Sequence, residues 1–198
     1  MAGLNNNYLI MRHGFSEGNK AKLIVSDPAI GCVSFGLTDL GRAQVEASAL
    51  KFKQAGISKI IHSDFLRTVH TAQFLATCVG CSVIRPDIAL RERFFGDYDG
   101  LSDQHYAEIW DNDLNDPAAN ERSRVESVVQ VRARGLELIE RLEQSFSGET
   151  ILLVSHGDLL QILRTAFEGV TANQHRSLAH HETAEIKWLA KVGAVVKG

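Results

Sequence analysis

The sequence contains few cysteines and few prolines, three of each in 198 residues. A small, odd number of cysteines argues against a disulfide framework and fits a reducing compartment, so we expect a cytoplasmic protein. Cys78 and Cys81 have redox or zinc spacing. No second pair accompanies them, and they lie at the end of a helical pattern, so a functional role is disfavoured.

An excess of positive charge and long apolar runs are also missing. The 21 Lys and Arg residues face 24 Asp and Glu residues, which gives a formal net charge of −3. This balance does not favour binding to nucleic acid or to an anionic membrane. No apolar run approaches the roughly 20 residues that a membrane span needs, and residues 1–7 lack the pattern of a secretory signal. Any site for an anionic substrate must therefore be a local cluster of positive charge.

The chain does contain strand patterns that alternate with helix patterns, which predicts an α/β fold. We expect a three-layer α/β/α arrangement with a mostly parallel central sheet. We interpret residues 1–198 as one domain, with a possible small helical insertion at about 93–120. Two segments, 26–36 and 112–122, are predicted as loops, the second the more mobile. The predicted strands are 8–11, 58–62, 81–84, 150–154 and 185–190, and the predicted helices are 38–55, 65–79, 101–110, 124–146 and 159–168.

The first motif with chemical content is Arg12-His13-Gly14, directly after the first predicted strand. Ligand sites of α/β sheets form at the carboxyl ends of strands, where a glycine lets backbone amides approach an anion. Arginine offers forked donors to phosphoryl oxygens, and a neutral imidazole nitrogen can attack phosphorus. Taken alone, these two residues are better explained as a solvated Arg-His pair at the end of a strand.

Three further motifs follow later strands. Arg67 falls in the first turn of a predicted helix, where a cation is unusual unless a bound anion also faces the helix end. Leu90-Arg91-Glu92 precedes two glycines, and Ser155-His156-Gly157 leads from a buried strand into a helix.

Together, the four motifs resemble those of the histidine phosphatase superfamily, the phosphoglycerate mutase-like proteins. Two lesser motifs of that family also match, Leu37-Thr38-x-x-Gly41-x-x-Gln44 and Glu126-Ser127 with Arg132. The resemblance covers most of the chain in family order and implies a phosphoglycerate mutase-like fold.

The resemblance also implies a role for each matched residue. His13 would be the nucleophile that forms a phosphohistidine, and Glu92 would be the general acid and then the base. Arg12, Arg67 and His156 would hold the phosphoryl oxygens. No cofactor and no metal is implied. The residues expected to contact substrate are Gly14, Ser16, Asn19, Thr38, Arg91 and Gly157.

The sequence departs from the mutases of this family near the first motif. Phe15 stands where many members carry an acidic residue, and Gly18 where the mutases usually carry tryptophan. The loop after Asn19 lacks their Gly-Trp-rich stretch. These changes favour a phosphatase acting on small phosphorylated metabolites. A mutase and a non-catalytic phosphate-binding protein are the alternatives.

Several charged residues allow two interpretations. A group of arginines is either solvent-facing or forms a rim that attracts a multiply charged substrate; its members are Arg91, Arg93, Arg122 and Arg124. His180 and His181 could suggest a metal, but neighbours on a strand point to opposite faces, which disfavours a shared ion. The sequence indicates neither the particular substrate nor the oligomeric state.

Overall fold

The computed structural model describes residues 3–197. Short 3₁₀ turns connect the main elements, which follow here in chain order. The strands are β1 (Asn7–Arg12), β2 (Lys59–His62), β3 (Ile84–Pro86), β4 (Thr150–Ser155) and β5 (Ile186–Ala190). The helices are α1 (Glu17–Ala21), α2 (Pro28–Gly31), α3 (Asp39–Phe52), α4 (Leu66–Val79), α5 (Tyr106–Asn115), α6 (Pro117–Arg122), α7 (Val128–Ser145) and α8 (Gly157–Glu168).

The five strands form one sheet in the order β3-β2-β4-β1-β5. All neighbouring pairs are parallel except β1 and β5, which are antiparallel. The predicted α/β fold with a mostly parallel sheet is therefore confirmed. Within the sheet, Arg12 pairs with Ser155, so the carboxyl ends of β1 and β4 meet at one edge. This register brings the first and fourth sequence motifs together.

The alternation of side chains along β1 explains the two helical layers. Tyr8 and Ile10 pack into an apolar cluster with α7 and α8, whereas Leu9 and Met11 pack into a second cluster with α3 and α4. Successive strand residues point to opposite faces, and all four side chains are fully buried. A strand covered on both faces needs this continuous apolar run.

Several local predictions were wrong, including the helix predicted at 101–110, which is observed as α5 at Tyr106–Asn115. The third strand lies at Ile84–Pro86 rather than 81–84, because pairing with β2 begins only where Ile60 N donates to the Val83 carbonyl. The segment 112–122 is mostly helical, since α5 continues to Asn115 and Pro117 opens α6. Proline suits that first helical position because no intrahelical donor is needed there.

A further departure is the segment 26–36, which contains the short helix α2. The Asp27 carboxylate caps this helix by accepting from Ala29 N at 2.8 Å. A second cap shortens α7, which begins at Val128 because Ser127 and Gln130 form a reciprocal capping box.

Helices α5 and α6 fall largely within the region suggested as a helical insertion, and the division of the chain into domains stays a prediction. Among residues 3–197, every helix is too short or too polar to cross a membrane.

Candidate active site

A cavity of about 210 Å³ opens at the carboxyl ends of β1 and β4. Its wall combines residues from the strand ends, from α1 and α5, and from the start of α8. The lining residues are Arg12, His13, Ser16, Gly18, Asn19, Leu23, Val25, Arg67, Glu92, Asp103, Tyr106, Trp110, Gly157, Asp158 and His180. Seven of the predicted site residues are therefore at one cavity.

His13 lies at the floor of this cavity, immediately after β1. Its backbone N–H donates to the Ser155 carbonyl at 2.9 Å, and its Nδ1 donates to the Gly14 carbonyl at 2.8 Å. Because a carbonyl only accepts, the ring proton is on Nδ1 and the lone pair is on Nε2. Burial, with added repulsion from Arg67 and Arg12, holds the pKa of His13 well below its usual 6.5. The imidazole is therefore neutral and nucleophilic at physiological pH.

Arg12 lies across the first turn of α8. Its Nη1 donates to the His181 carbonyl at 3.0 Å and to Nε2 of His180 at 2.9 Å. Its Nε is buried without a protein partner. A Cβ built on Gly157 would be 3.5 Å from the guanidinium carbon, so glycine permits this close approach. A cation and a helix N-terminus thus face the same side of the cavity, which suits an anion.

Arg67, in the first turn of α4, is only 4% exposed. Its Nη2 donates to the Val25 carbonyl at 2.9 Å and its Nε to Nδ1 of His156 at 3.1 Å. Burial lowers the pKa of Arg67 to about 10, which still leaves it charged at neutral pH. A buried charge of this kind is costly unless a counter-ion joins it.

His156 lies behind Arg67 and does not line the cavity. Since Nδ1 accepts from Arg67, the ring proton is on Nε2, which donates to Ser63 Oγ at 3.0 Å. The rings of His13 and His156 are 5.4 Å apart, centre to centre. His156 thus contacts Arg67 directly, whereas the sequence had placed it on the phosphoryl oxygens.

Ser16 and Asn19 form a capping box at the start of α1. The Asn19 Oδ1 accepts from Ser16 N at 3.0 Å and from Ser16 Oγ at 2.9 Å. This contact occupies the amide oxygen, so the side-chain NH₂ of Asn19 is the group left to donate at the cavity.

Glu92 closes the opposite wall. Its Oε1 accepts from Arg93 N at 2.9 Å and from Leu159 N at 3.4 Å. Burial and then the nearby Asp158 carboxylate raise the pKa of Glu92 to about 7, against opposing effects of Arg67 and the Arg93 amide. Near neutral pH this carboxyl therefore exists in both protonated and ionised forms, as an acid–base catalyst requires.

Three predicted substrate-binding residues contact protein instead of lining the cavity. Gly14 donates to Thr71 Oγ1, and a Cβ there would be 2.7 Å from the Gly41 carbonyl oxygen. Thr38 caps α3 and donates to the Phe15 carbonyl at 2.9 Å. Arg91 forms a bidentate pair with Asp64. In the structure these motif residues shape the loops around the cavity, and their assignment to substrate stays a prediction.

None of the four arginines that could form a rim is among the residues that line the cavity. Arg122 and Arg124 are exposed and pair with Asp116 and Asp97. Arg93 is fully buried and donates to both oxygens of Asp113, at 2.7 and 2.6 Å.

Sequence reasoning missed Asp158, Tyr106 and Trp110. Trp110 Nε1 donates to Asp158 Oδ1 at 2.9 Å, and Arg93 Nη1 reaches Asp158 Oδ2 at 3.5 Å. Tyr106 stacks on Trp110, with ring centres 5.1 Å apart. The position of Asp158 directly after His156-Gly157 could have indicated that it belongs to the site. No sequence pattern indicated Tyr106 or Trp110.

Arg134 on α7 was missed as well, although the nearby Arg132 was singled out. Its guanidinium forms a bidentate pair with Glu126, at 2.8 and 3.0 Å. The same group donates to the carbonyls of Ala89, Arg91 and Glu92, at 2.6, 2.8 and 3.2 Å. These hydrogen bonds from Arg134 fix the position of the backbone around Glu92.

His180 and His181 lie in the loop before β5, not on a strand, so the argument from strand geometry does not apply. His180 contacts Arg12, and His181 Nε2 donates to the Glu185 carbonyl at 2.8 Å. Cys78 and Cys81 are free thiols at the end of α4. Burial raises the pKa of Cys78, which keeps this thiol protonated.

The site joins a neutral histidine, two arginines and a carboxyl that titrates near neutrality, groups that can position a phosphoryl group and stabilise its charge. The model of the histidine phosphatase superfamily (branch 1) matches residues 8–191. The chain therefore belongs to this superfamily.

Relatives within the superfamily include both mutases and phosphatases by name. The chain is 32% identical over 194 residues to the probable phosphoglycerate mutase GpmB of Serratia proteamaculans, covering 91% of this chain and 86% of that protein. It is 26% identical to a mycobacterial glucosyl-3-phosphoglycerate phosphatase, with a TM-score of 0.75 and coverage of 91% and 88%. Bacillus stearothermophilus YhfR shares the fold, with a TM-score of 0.80 at 23% identity over 98% of this chain and 96% of that one.

Proposed function

We propose that the protein is a phosphatase that hydrolyses phosphomonoesters of small metabolites through a phosphohistidine at His13, without a metal ion. The observation that carries this proposal is the hydrogen bond from His13 Nδ1 to the Gly14 carbonyl. It presents an unprotonated Nε2 at the cavity, beside two arginines that neutralise a phosphoryl dianion.

In the first step, His13 Nε2 attacks phosphorus and the bond to the substrate oxygen breaks. Arg12 and Arg67 hold the equatorial oxygens, and the Asn19 amide adds a neutral donor. Protonated Glu92 gives its proton to the departing alkoxide, which leaves as the alcohol. Phosphoryl transfer depends mainly on such positioning and charge stabilisation.

In the second step, Glu92 is ionised and accepts a proton from water. The resulting hydroxide attacks phosphorus, the bond to Nε2 breaks, and inorganic phosphate leaves with His13 again neutral. A pKa near 7 lets one carboxyl serve both steps at neutral pH, because donor and acceptor forms are both accessible.

A mutase is the second candidate, supported by the names of several relatives. The phosphatase is preferred because Gly18, which lines the cavity, stands where the mutases of the family usually carry tryptophan. When the enzyme is supplied with 3-phosphoglycerate and 2,3-bisphosphoglycerate, we expect inorganic phosphate to appear faster than 2-phosphoglycerate. Rapid isomerisation with little phosphate release would favour the mutase.

The covalent step is tested by quenching the enzyme without acid during turnover of a ³²P-labelled substrate and mapping the labelled peptide. We expect an alkali-stable, acid-labile label on the peptide containing His13, lost in His13→Ala and kept in the half-buried control His105→Ala. Turnover of nitrophenyl phosphate should persist in excess EDTA. Label on Ser16 or Ser155, or activity that depends on added zinc or magnesium, would contradict the mechanism.

A further inference from the structure

We infer that the preferred substrate is a phosphomonoester whose alcohol part is uncharged and carries hydroxyl groups, and that esters with a second anionic group are disfavoured. This inference rests on the proposed phosphatase function and adds the substrate class. It follows from the distribution of charge along the cavity wall.

The cations of the cavity lie at the phosphoryl end. Among the described residues that line the cavity, the arginines are Arg12 and Arg67, both close enough to His13 to lower its pKa. His180 accepts a hydrogen bond from Arg12, and burial and Arg12 lower the pKa of His180, so it adds no positive charge at neutral pH. A phosphoryl dianion would match these two positive charges.

The remainder of the wall carries carboxylates. Asp103 and Asp158 line the cavity together with Tyr106, Trp110 and apolar residues of the α1–α2 connection. Asp158 shares Arg93 with Asp113, so one buried cation faces two carboxylates. The exposed Lys22 contacts Asp103 through its carbonyl oxygen, which accepts from Asp103 N at 2.9 Å.

Other arginines near the cavity are engaged elsewhere. Arg176 lies 3.6 Å from the centre of the Trp110 ring and donates to Gln161, and the nearby Asp158 carboxylate opposes the burial that lowers the Arg176 pKa. Arg91 is paired with Asp64. Asp158 is held by Arg93 and Trp110, so a second phosphate or a carboxylate on the substrate would meet mainly the negative charge of Asp103.

Like charges at a few ångströms repel even when partly screened, whereas a hydroxyl can donate to a carboxylate. Asp103 is half-buried at the cavity and offers two acceptor oxygens to such hydroxyls. This part of the cavity wall therefore favours the binding of hydroxyl groups and repels anionic groups at the same positions.

The test compares glycerol 3-phosphate with 3-phosphoglycerate, which differ only by a hydroxymethyl group in place of a carboxylate. We expect kcat/KM for phosphate release to be at least about tenfold higher for glycerol 3-phosphate, equivalent to about 1.4 kcal/mol. Asp103→Asn should narrow this ratio by raising the value for 3-phosphoglycerate. The matched control Glu108→Gln, which removes an exposed carboxylate from the same helical region, should leave the ratio unchanged.

A ratio near one, a preference for 3-phosphoglycerate, or an unchanged ratio in Asp103→Asn would overturn the inference. Nitrophenyl phosphate is measured in parallel to separate the two proposals. If nitrophenyl phosphate is hydrolysed but the ratio of kcat/KM values differs from the expected one, only the inferred substrate class is contradicted. If no ester releases phosphate, the proposed phosphatase function is contradicted.

Discussion

Nε of Arg67 donates to Nδ1 of His156 at 3.1 Å, and this contact sets the protonation of both buried side chains. The guanidinium always carries its protons at neutral pH, so His156 must accept at Nδ1 and keep its own proton on Nε2. Burial and the positive charge of Arg67 hold the pKa of His156 well below 6.5. His156 is therefore a neutral side chain that fixes the orientation of Arg67, which we propose binds the phosphoryl group.

Replacing His156 should slow phosphorylation of His13 without moving it. His156→Ala leaves the buried Arg67 Nε without an acceptor, which costs about 1–3 kcal/mol and predicts a roughly ten- to hundredfold lower kcat/KM. His156→Gln offers an amide oxygen and should recover part of the loss. The measurement is single-turnover labelling beside steady-state kinetics. Label on another residue, or a glutamine variant as slow as the alanine one, would exclude this role.

The raised pKa of Glu92 predicts how the pH profile responds to its neighbour. The acid form donates the proton, so kcat/KM for alkyl phosphates should fall as pH rises through about 7. The Asp158 carboxylate disfavours ionised Glu92, so Asp158→Asn lowers the Glu92 pKa and moves the fall to lower pH. A shift to higher pH would contradict the assignment.

Glu92→Gln tests the same residue through the leaving group. The amide cannot donate an acidic proton, so we expect a loss of about 10²–10⁴-fold on alkyl phosphates. The loss should be smaller on nitrophenyl phosphate, whose leaving group scarcely needs protonation. Equal losses on both substrates would show that Glu92 is not the acid.

Arg134 should influence catalysis through the position of Glu92. Arg134→Lys keeps the charge but cannot hold Glu126 and three carbonyls at once. We expect kcat on alkyl phosphates to fall about tenfold, which corresponds to a barrier increase of about 1.4 kcal/mol, with KM and nitrophenyl phosphate turnover little changed.

Arg141→Met is the matched control for that variant. Arg141 also projects from α7 toward the same segment, but it makes a half-exposed ion pair with the Asp87 side chain. Exposed pairs contribute little, so its kinetics should stay near wild type. Equal losses on both ester classes in Arg134→Lys would indicate general destabilisation instead of a positioning role.

The sequence predicted the part of the site that local motifs at strand ends define. His13 and Arg67 each follow a strand within a few residues, so the strand pattern alone placed them at the same edge of the sheet. The mostly parallel sheet followed from the same alternation of elements. Side-chain contacts between segments that are distant in the sequence could not be predicted from local patterns.

Arg91 and Arg93 show why. They flank Glu92 and look alike in the sequence, yet one makes a surface pair with Asp64 and the other is fully buried against Asp113. The difference depends on Asp113, which lies on α5. It is twenty positions after Arg93 in the chain, and the fold brings the two side chains into contact. Thr38 and Gly14 were likewise assigned to substrate, because a motif does not reveal whether its residues serve a pocket or a loop contact.

The position of β1 in the sheet has a consequence for how the protein is made. β1 pairs with β4 and β5, whose first residues are Thr150 and Ile186, so the strand that leads to His13 has no partner strand until Thr150 and the residues after it have been synthesised. Such distant pairings are slow to form, and unpaired apolar strands are prone to aggregation. We expect nascent chains that end before residue 150 to expose this apolar segment and to engage chaperones.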